Sequence, residues 1–458
     1  MTFALNKMPA INKILIANRG EIALRIIRAC RDMGIRSVAV YSTADKDSLH
    51  AKIADESVCI GPAPAKESYL NESAILTAAL LTNADAIHPG YGFLSERTGF
   101  IKKVEQHKLI FIGPGAKIVH EMGDKVVAKH TAAKCGLPLI PGSDGAVDTL
   151  ESALEWAVQI GYPVMLKAAA GGGGKGMRKV FGADEMPAAF QMTKAEAQNG
   201  FGDDTLYMEK LLVHPRHIEF QVLADTHGNV VIFGERDCTL QRKHQKVMEE
   251  CPATALTDKQ RSDMIEICRK AVKKMGYTNA GTLEFMFEDG KFYFLEMNTR
   301  IQVEHPVTEM VYRVDLIREQ IRIAMGEKLG YDQSDLKADG HAIEFRINAE
   351  DPETFIPNAG QITAYSPPGG LGIRIDSAAY DGWKIPPNYD SMIAKLIVWA
   401  PNRETCLLRS ERALDEFSIE GVKTTIPLHK RLLAADDVKT LNIDNNWIER
   451  VLLATGKK

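Results

Sequence analysis

Two periods of apolar residues alternate along this chain. In "NKILIANRGEIALRIIRACRDMGIRSVAVYS" the short apolar run Lys13–Ala17 predicts a buried strand, and Asn18, Arg19 and Gly20 predict a turn. Over Glu21–Met33, Ile22, Leu24, Ile26, Ile27 and Cys30 recur at helical spacing; Gly34 ends the helix, and Ser37–Tyr41 predicts the next strand. A strand–helix–strand unit of this kind predicts a parallel sheet. "DAIHPGYGFLSE" and "LIFIGP" continue the strand-then-turn rhythm, and the first unit closes near Gly113-Pro114.

A second region opens at "MGDKVVAKHTAAKCGLP" with a helix, the strand "YPVMLKAA", the run "GGGGKG" and the strand "MRKVF". After "TLYMEKLL" come the longer alternating strands "RHIEFQVLAD" and "NVVIFGERD". A helix over Thr257–Gly276, the hairpin "TLEFMFEDGKFYFLEMN" and the helical "LIREQIRIAMGE" follow. A third region, from about Gly340, holds "HAIEFRINAED", the Pro/Gly-rich "YSPPGGLG" and "KIPPNYDSM", and the helical "NRETCLLRSERALDEF". The class is α/β in about three units, without internal repeats.

Within this pattern "EMNTRIQVEH" stands out. As a strand, it would place Glu296, Asn298, Arg300, Gln302 and Glu304 on one face. A solvated face and a site are both consistent with that alternation. The absence of lysine, common on wet sheet edges, and the mixture of Glu, Asn, Arg and Gln favour a site. Oxygen donors such as Glu284, Glu296 and Asn298 suit Mg²⁺ bridging to phosphates, Arg300 suits an oxyanion, and Glu304 is a candidate base. Glu284 joins that face if the turn at Asp289-Gly290 is a three-residue loop. A two-residue turn on an unbulged ladder would send it to the other face.

The four glycines Gly171–Gly174, followed by Lys175 and Gly176, lie between two predicted strands. They read either as a phosphate cradle, with Lys167 and Lys175 adding charge, or as a loose hairpin tip. Lys175 is followed by Gly176, so this is not a Walker A loop. Arg236, Arg242, Lys243, His244 and Lys246 crowd one short stretch, a solvated loop or an anion-binding wall. Taken alone, His217 and Arg346 read as structural strand residues, and Lys125 either caps a helix or reaches a phosphate.

Composition narrows the partners. The 458 residues are 45% hydrophobic and 25% charged, with a net charge of −4. That argues against nucleic acid or an anionic membrane as partner. No apolar stretch reaches the roughly 18 residues of a membrane helix, and no signal peptide is expected. Seven scattered cysteines without C-x-x-C predict reduced thiols, a cytoplasmic protein and no zinc site.

Together "ANRGEIA", "HPGYGFLSE", "GDK", "KAAAGGGGKGMR", "ERDCTLQRKHQK", "EMNTRIQVEHPVTE" and "RINAEDP" strongly resemble the biotin carboxylase family, from about residue 12 to 450. The resemblance implies a Rossmann-like unit (1–122), an ATP-grasp unit (123–335, with a glycine-rich lid at about 140–211) and a mixed C-terminal unit (336–458). It implies carboxylation of biotin by ATP and bicarbonate through carboxyphosphate, with Mg²⁺ or Mn²⁺. It assigns ATP contacts to Lys125, Lys167, Gly173, Gly174, Glu209, Lys210, Leu212, His217, Gln241, His244, Glu284 and Glu296. Glu284, Glu296 and Asn298 correspond to metal ligands, and Lys246, Arg300, Gln302 and Val303 to a bicarbonate pocket. Glu304 corresponds to the base and Arg346 to the stabiliser of the biotin enolate, with Tyr91 and Asp390 on the biotin side.

The lid departs from the family where Ala169-Ala170 precede only four glycines and where Lys175 replaces a common arginine. Without a Met-Lys-Met biotinylation site, the biotin carboxyl carrier protein and carboxyltransferase are expected as separate chains, unless this is an excised domain. A homodimer with Arg28 and Arg374 at its interface is expected, serving acetyl-CoA carboxylase and fatty acid synthesis. The alternatives are a two-subunit pyruvate or related carboxylase, an ATP-grasp ligase working through an acyl phosphate, and a silent scaffold in a carboxylase assembly.

Overall fold

The computed structural model describes residues 11–168, 176–243 and 245–453. Gly173, Gly174 and His244 therefore lie outside the described residues. The chain forms two compact units. The larger holds Met1–Leu137, Arg216–Met286 and Leu295–Lys458, and the smaller holds Pro138–Pro215 and Phe287–Phe294.

In the larger unit the expected strand–helix–strand element is present as Lys13–Ile16, helix Gly20–Asp32 and Arg36–Ser42. These two strands pair in parallel, and Glu56–Gly61, Ala86–His88 and Ile110–Phe111 complete a five-stranded parallel sheet. Ile14, Leu15, Ile16, Val38 and Val40 are buried, as in a parallel sheet covered on both faces.

A second sheet of eight strands runs in the order Lys291–Asn298, Asn279–Glu288, Arg216–Ala224, Val230–Arg242, Gln245–Cys251, His341–Asn348, Met392–Ala400, Ile373–Ser377. Strands from the second and third sequence regions thus belong to one sheet, joined where Glu249 opposes Glu344. Along Arg216–Ala224, Ile218, Phe220 and Val222 alternate with His217, Glu219 and Gln221, yet every residue is buried. A polar strand face without water must find partners inside the protein.

Three local readings change. "ERDCTLQRKHQKVMEE" is no solvated loop: Val230–Arg242 and Gln245–Cys251 form an antiparallel pair, with Lys243 at positive φ in the turn. The turn after Glu288 has two residues, Asp289 and Gly290, both at positive φ. The strand through Glu296 stops at Asn298, and residues 299–304 are irregular before helix His305–Tyr312. Alternation therefore does not place Arg300, Gln302 and Glu304. Pro306 in the first turn of that helix fits a helix start but lacks the N–H a continuing strand needs.

That helix also carries a buried charge cluster. Glu309 accepts from Arg25 Nη2 at 2.9 Å, Arg374 Nη1 at 2.7 Å and the Leu316 N–H at 2.8 Å. Burial would raise its pKa, but Arg25 and Arg374 bring it down to about 2. A carboxylate lowered in the folded state adds stability above its unfolded value near 4.5, and that stability is lost as pH falls towards 2. Glu309→Gln removes one of the two carboxylate partners of Arg25 and of Arg374, which keep Asp315 and Asp376, at an expected cost of about 1.5–3 kcal/mol. Chemical denaturation should show that loss at neutral pH and a flatter acid limb; wild-type stability at both pH values would refute it. Of the two expected interface residues, Arg28 is exposed, whereas Arg374 is engaged with Glu309 and Asp376.

The smaller unit has a three-stranded antiparallel sheet, with Val164–Ala168 between Met177–Val180 and Leu206–Lys210. Val164, Leu166 and Ala168 face a core shared with Val180, Phe190, Leu206 and Met208. Helix Leu150–Ile160 begins with a capping box between Thr149 and Ser152, and helix Met186–Phe201 follows the second strand. The glycine run joins two antiparallel strands, as expected. Among the described residues no helix is long and apolar enough to cross a membrane.

Candidate active site

The buried polar strand face in the larger unit converges on one ammonium group. Lys246 Nζ lies 2.5 Å from Glu219 Oε2, 3.0 Å from Glu284 Oε1 and 2.6 Å from Glu304 Oε1. Burial would raise the carboxylates, but Lys246 helps to hold Glu219, Glu284 and Glu304 below the usual range. His217 Nε2 is 3.0 Å from Glu284 Oε2, and its Nδ1 is 2.9 Å from the Gln241 amide. Burial alone would lower the imidazole pKa; Glu219 and Glu284 instead raise it to about 9. Arg236, fully buried, donates to Glu219 Oε1 at 2.6 Å and to Gln302 Oε1 at 2.8 Å.

Residues 299–304 wrap this cluster without sheet pairing. Glu96, from "HPGYGFLSE", accepts from the Thr299 N–H at 2.9 Å and from Arg300 Nε at 2.8 Å, pinning the segment to the first sheet's loops. Arg300 Nη2 also donates to Asn298 Oδ1 at 2.9 Å. Gln302 Nε2 donates to Glu284 Oε1 at 2.6 Å, and Asn298 Nδ2 reaches the same oxygen at 2.8 Å. The two-residue turn therefore does not separate Glu284 from Asn298, the last residue of the strand, or from Gln302 beyond it. Glu296 is exposed; desolvation and then the charge of Glu284 raise its pKa, and Lys125 opposes them.

Arg346 approaches Glu304 from the other side, with Nη2 at 3.0 Å from Oε2 and Nε at 2.6 Å from Glu249 Oε1. Glu304 is thus buried between two cations. Lys395 donates to the Val303 carbonyl at 2.8 Å and lies 5.9 Å from the centre of the Tyr91 ring, whose hydroxyl donates to Glu21. Asp390 is exposed and accepts from the Met392 N–H at 2.9 Å. Lys125 is exposed at the first position of helix Lys125–Cys135, and the capping is done by Asp124.

In the smaller unit, Lys167 pairs with Glu209 across adjacent strands. Lys210 Nζ donates to the Gly161 and Tyr162 carbonyls at 2.9 Å each, and Leu212 is half-buried just past the strand.

Family models match three successive stretches: biotin carboxylase N-terminal domain over residues 10–119, carbamoyl-phosphate synthase L chain ATP binding domain over 124–331, and biotin carboxylase C-terminal domain over 344–450. The biotin carboxylase of Haemophilus influenzae is 53% identical over 443 residues, 96% of this chain and 99% of that one. The chain belongs to the biotin carboxylase family. It is an ATP-grasp enzyme of the ligase type that carboxylates biotin at the expense of ATP. Among solved structures, the biotin carboxylase subunit of a pyruvate carboxylase superposes with a TM-score of 0.91 at 48% identity, covering 96% of this chain and 98% of that one. The biotin carboxylase domain dimer of Hydrogenobacter thermophilus 2-oxoglutarate carboxylase, described with MgADP and bicarbonate, gives 0.83 at 47% identity over the same shares.

Glu96, Glu219 and Lys395, which escaped the sequence reading, hold Arg300, Lys246 and Val303 in place, and Arg236, read there only as one cation of a dense stretch, holds Gln302. The signal available for Glu219 was its alternation with His217 and Gln221 on one strand face. Lys395, inside "MIAKLIVWA", gave none beyond a lone charge in an apolar strand.

Proposed function

We propose that this biotin carboxylase carries out the first half-reaction of acetyl-CoA carboxylase, carboxylating biotin on a separate carrier protein. The observation that supports the chemistry is Glu304, buried and ionised between Lys246 and Arg346. A base capped by two cations is weak until an anion draws them away. Bicarbonate entering beside Lys246, Arg300, Gln302 and the Val303 backbone would recruit those cations and leave Glu304 free to take its proton. The resulting dianion attacks the γ-phosphate, giving ADP and carboxyphosphate, and then CO₂ and phosphate. That phosphate takes the biotin ureido N–H proton, Arg346 stabilises the negative charge this leaves on the ureido oxygen, with Tyr91 on the same side, and the nitrogen adds to CO₂ to give carboxybiotin.

The carboxylates of Glu284 and Glu296 fit a divalent cation as hard oxygen donors; Asn298 fits less directly, since its carbonyl accepts from Arg300. When bound there, Mg²⁺ or Mn²⁺ supplies charge neutralisation for the phosphates. Lys125, His217 and Gln241 in the larger unit, and Lys167, Glu209, Lys210 and Leu212 in the smaller, are the proposed ATP contacts, with Gly173, Gly174 and His244 outside the described residues. Asp390 is proposed on the biotin side of the site. Carboxyltransferase partnership, homodimerisation and a cytoplasmic location complete the reading; the dimer described for the 2-oxoglutarate enzyme supports the second of these.

Arg346→Ala is expected to lower biotin carboxylation by about 10²–10³-fold while bicarbonate-dependent ATP hydrolysis falls far less. Equal losses in both assays would remove Arg346 from the biotin step. A second reading, an oxoacid carboxylase, is favoured by the likeness to pyruvate and 2-oxoglutarate carboxylase structures. Reconstitution with each type of carrier and carboxyltransferase decides: product from pyruvate and none from acetyl-CoA would overturn the first reading.

A further inference from the structure

Glu249 and Glu344 stand directly opposite each other on the antiparallel strands Gln245–Cys251 and His341–Asn348. Directly opposed residues share a sheet face, with Cβ atoms roughly 4.5–5.5 Å apart. Both side chains are fully buried. Glu249 Oε1 accepts from Arg346, but among the described residues no donor reaches Glu249 Oε2 or either oxygen of Glu344. Two adjacent buried carboxylates cannot both stay ionised without cations to match.

The charged groups facing the pair are already committed. They are Lys246 on the strand of Glu249, Arg346 on the strand of Glu344, Lys395 on Met392–Ala400, and Glu304 at the start of helix His305–Tyr312. Lys246 holds Glu219, Glu284 and Glu304. Arg346 bridges Glu249 and Glu304. Lys395 donates to the Val303 carbonyl and lies 3.3 Å from Glu21. Among the described residues no cation donates a hydrogen bond to Glu344. Burial raises its pKa well above the ordinary value and brings Glu249 to about 7; neighbouring carboxylates add to both shifts, while Lys395 and Arg346 oppose the first and Arg346 and Lys246 the second without overcoming burial.

We propose that Glu344 is a neutral acid whose proton is shared with the free oxygen of Glu249, and that this pair positions the Arg346 guanidinium beside Glu304. One negative charge across the pair keeps Arg346 Nε in place. A second charge would pull the guanidinium away from Glu304 and from the biotin side. Loss of the shared proton at high pH therefore weakens carboxylation. This last step rests on the proposed role of Arg346; the protonation of Glu344 does not.

Infrared spectroscopy of the substrate-free full chain tests the proton itself. The difference spectrum of wild type minus Glu344→Gln is expected to contain the carbonyl stretch of a protonated carboxylic acid; a carboxylate band in its place overturns the proposal. In turnover assays, Glu344→Ala should lower biotin carboxylation by about tenfold, as loss of an orienting partner does, with KM for ATP unchanged. Glu344→Gln, which mimics the neutral acid, should restore most of that activity and move the alkaline limb of the pH profile upward. An acid band accompanied by an unmoved pH profile in Glu344→Gln overturns the positioning role. Failure of the Arg346 assignment would appear separately, as equal losses of both reactions in Arg346→Ala.

Discussion

Glu304→Gln is expected to reduce biotin carboxylation and bicarbonate-dependent ATP hydrolysis by about 10²–10⁴-fold, the range for loss of a positioned general base. The amide keeps the shape of the side chain but cannot accept a proton at neutral pH. The fold should survive, because neither cation is orphaned: Lys246 keeps Glu219 and Glu284, and Arg346 keeps Glu249. Direct titration should then find ATP affinity close to wild type. Wild-type turnover would sink the base assignment, whereas a parallel loss of ATP binding would point to collapse of the cluster.

Lys246→Met should be the most damaging single change in the larger unit. The ammonium is the shared partner of three buried carboxylates: Glu219 also has Arg236 and Glu304 also has Arg346, whereas Glu284 is left with the His217 imidazole. Removing one partner from a buried ion cluster costs about 3–5 kcal/mol. Burial would then act on Glu284 and Glu304 with less opposition, raising both carboxyls towards the neutral form. Denaturant melts should show the lower midpoint, and bicarbonate-dependent ATP hydrolysis should fall with it. An unchanged midpoint would show that water or a neighbouring group already compensates the three acids.

The residue types of the site were legible in the sequence, but not their arrangement. Alternation put His217 on a strand, where it is found, but as a lone histidine; the polar face it shares with Glu219 and Gln221 was not read from it. Carried through residues 299–304, the same argument fails, because the strand ends at Asn298 and a helix begins at His305. The turn argument also fails at its premise, since Asp289 and Gly290 make a two-residue turn; yet Glu284 still meets Asn298 and Gln302. In "ERDCTLQRKHQK" cation density left a solvated loop and an anion-binding wall both open, whereas Arg236 is buried among Glu219, Gln221, Thr282, Gln302 and Thr308. Composition cannot distinguish a hydrated cation from one whose donors are all satisfied inside.

By itself the sequence determined the first strand–helix–strand unit, the strands flanking the glycine run, the helix over Thr257–Gly276, present as Asp258–Met275, and the set of groups fit for phosphate and bicarbonate chemistry. Those follow from periodicity and turn residues acting over a few positions. Only the tertiary structure decided which acid meets which cation. The contacts that do so join residues 42 apart for Glu304 and Arg346, 58 for Lys246 and Glu304, and 203 for Glu96 and Thr299. Such pairings depend on strand order and on where the chain leaves the sheet, which no local pattern encodes. The exposed or buried state of each carboxylate, and with it the charge it carries, is fixed at that same level.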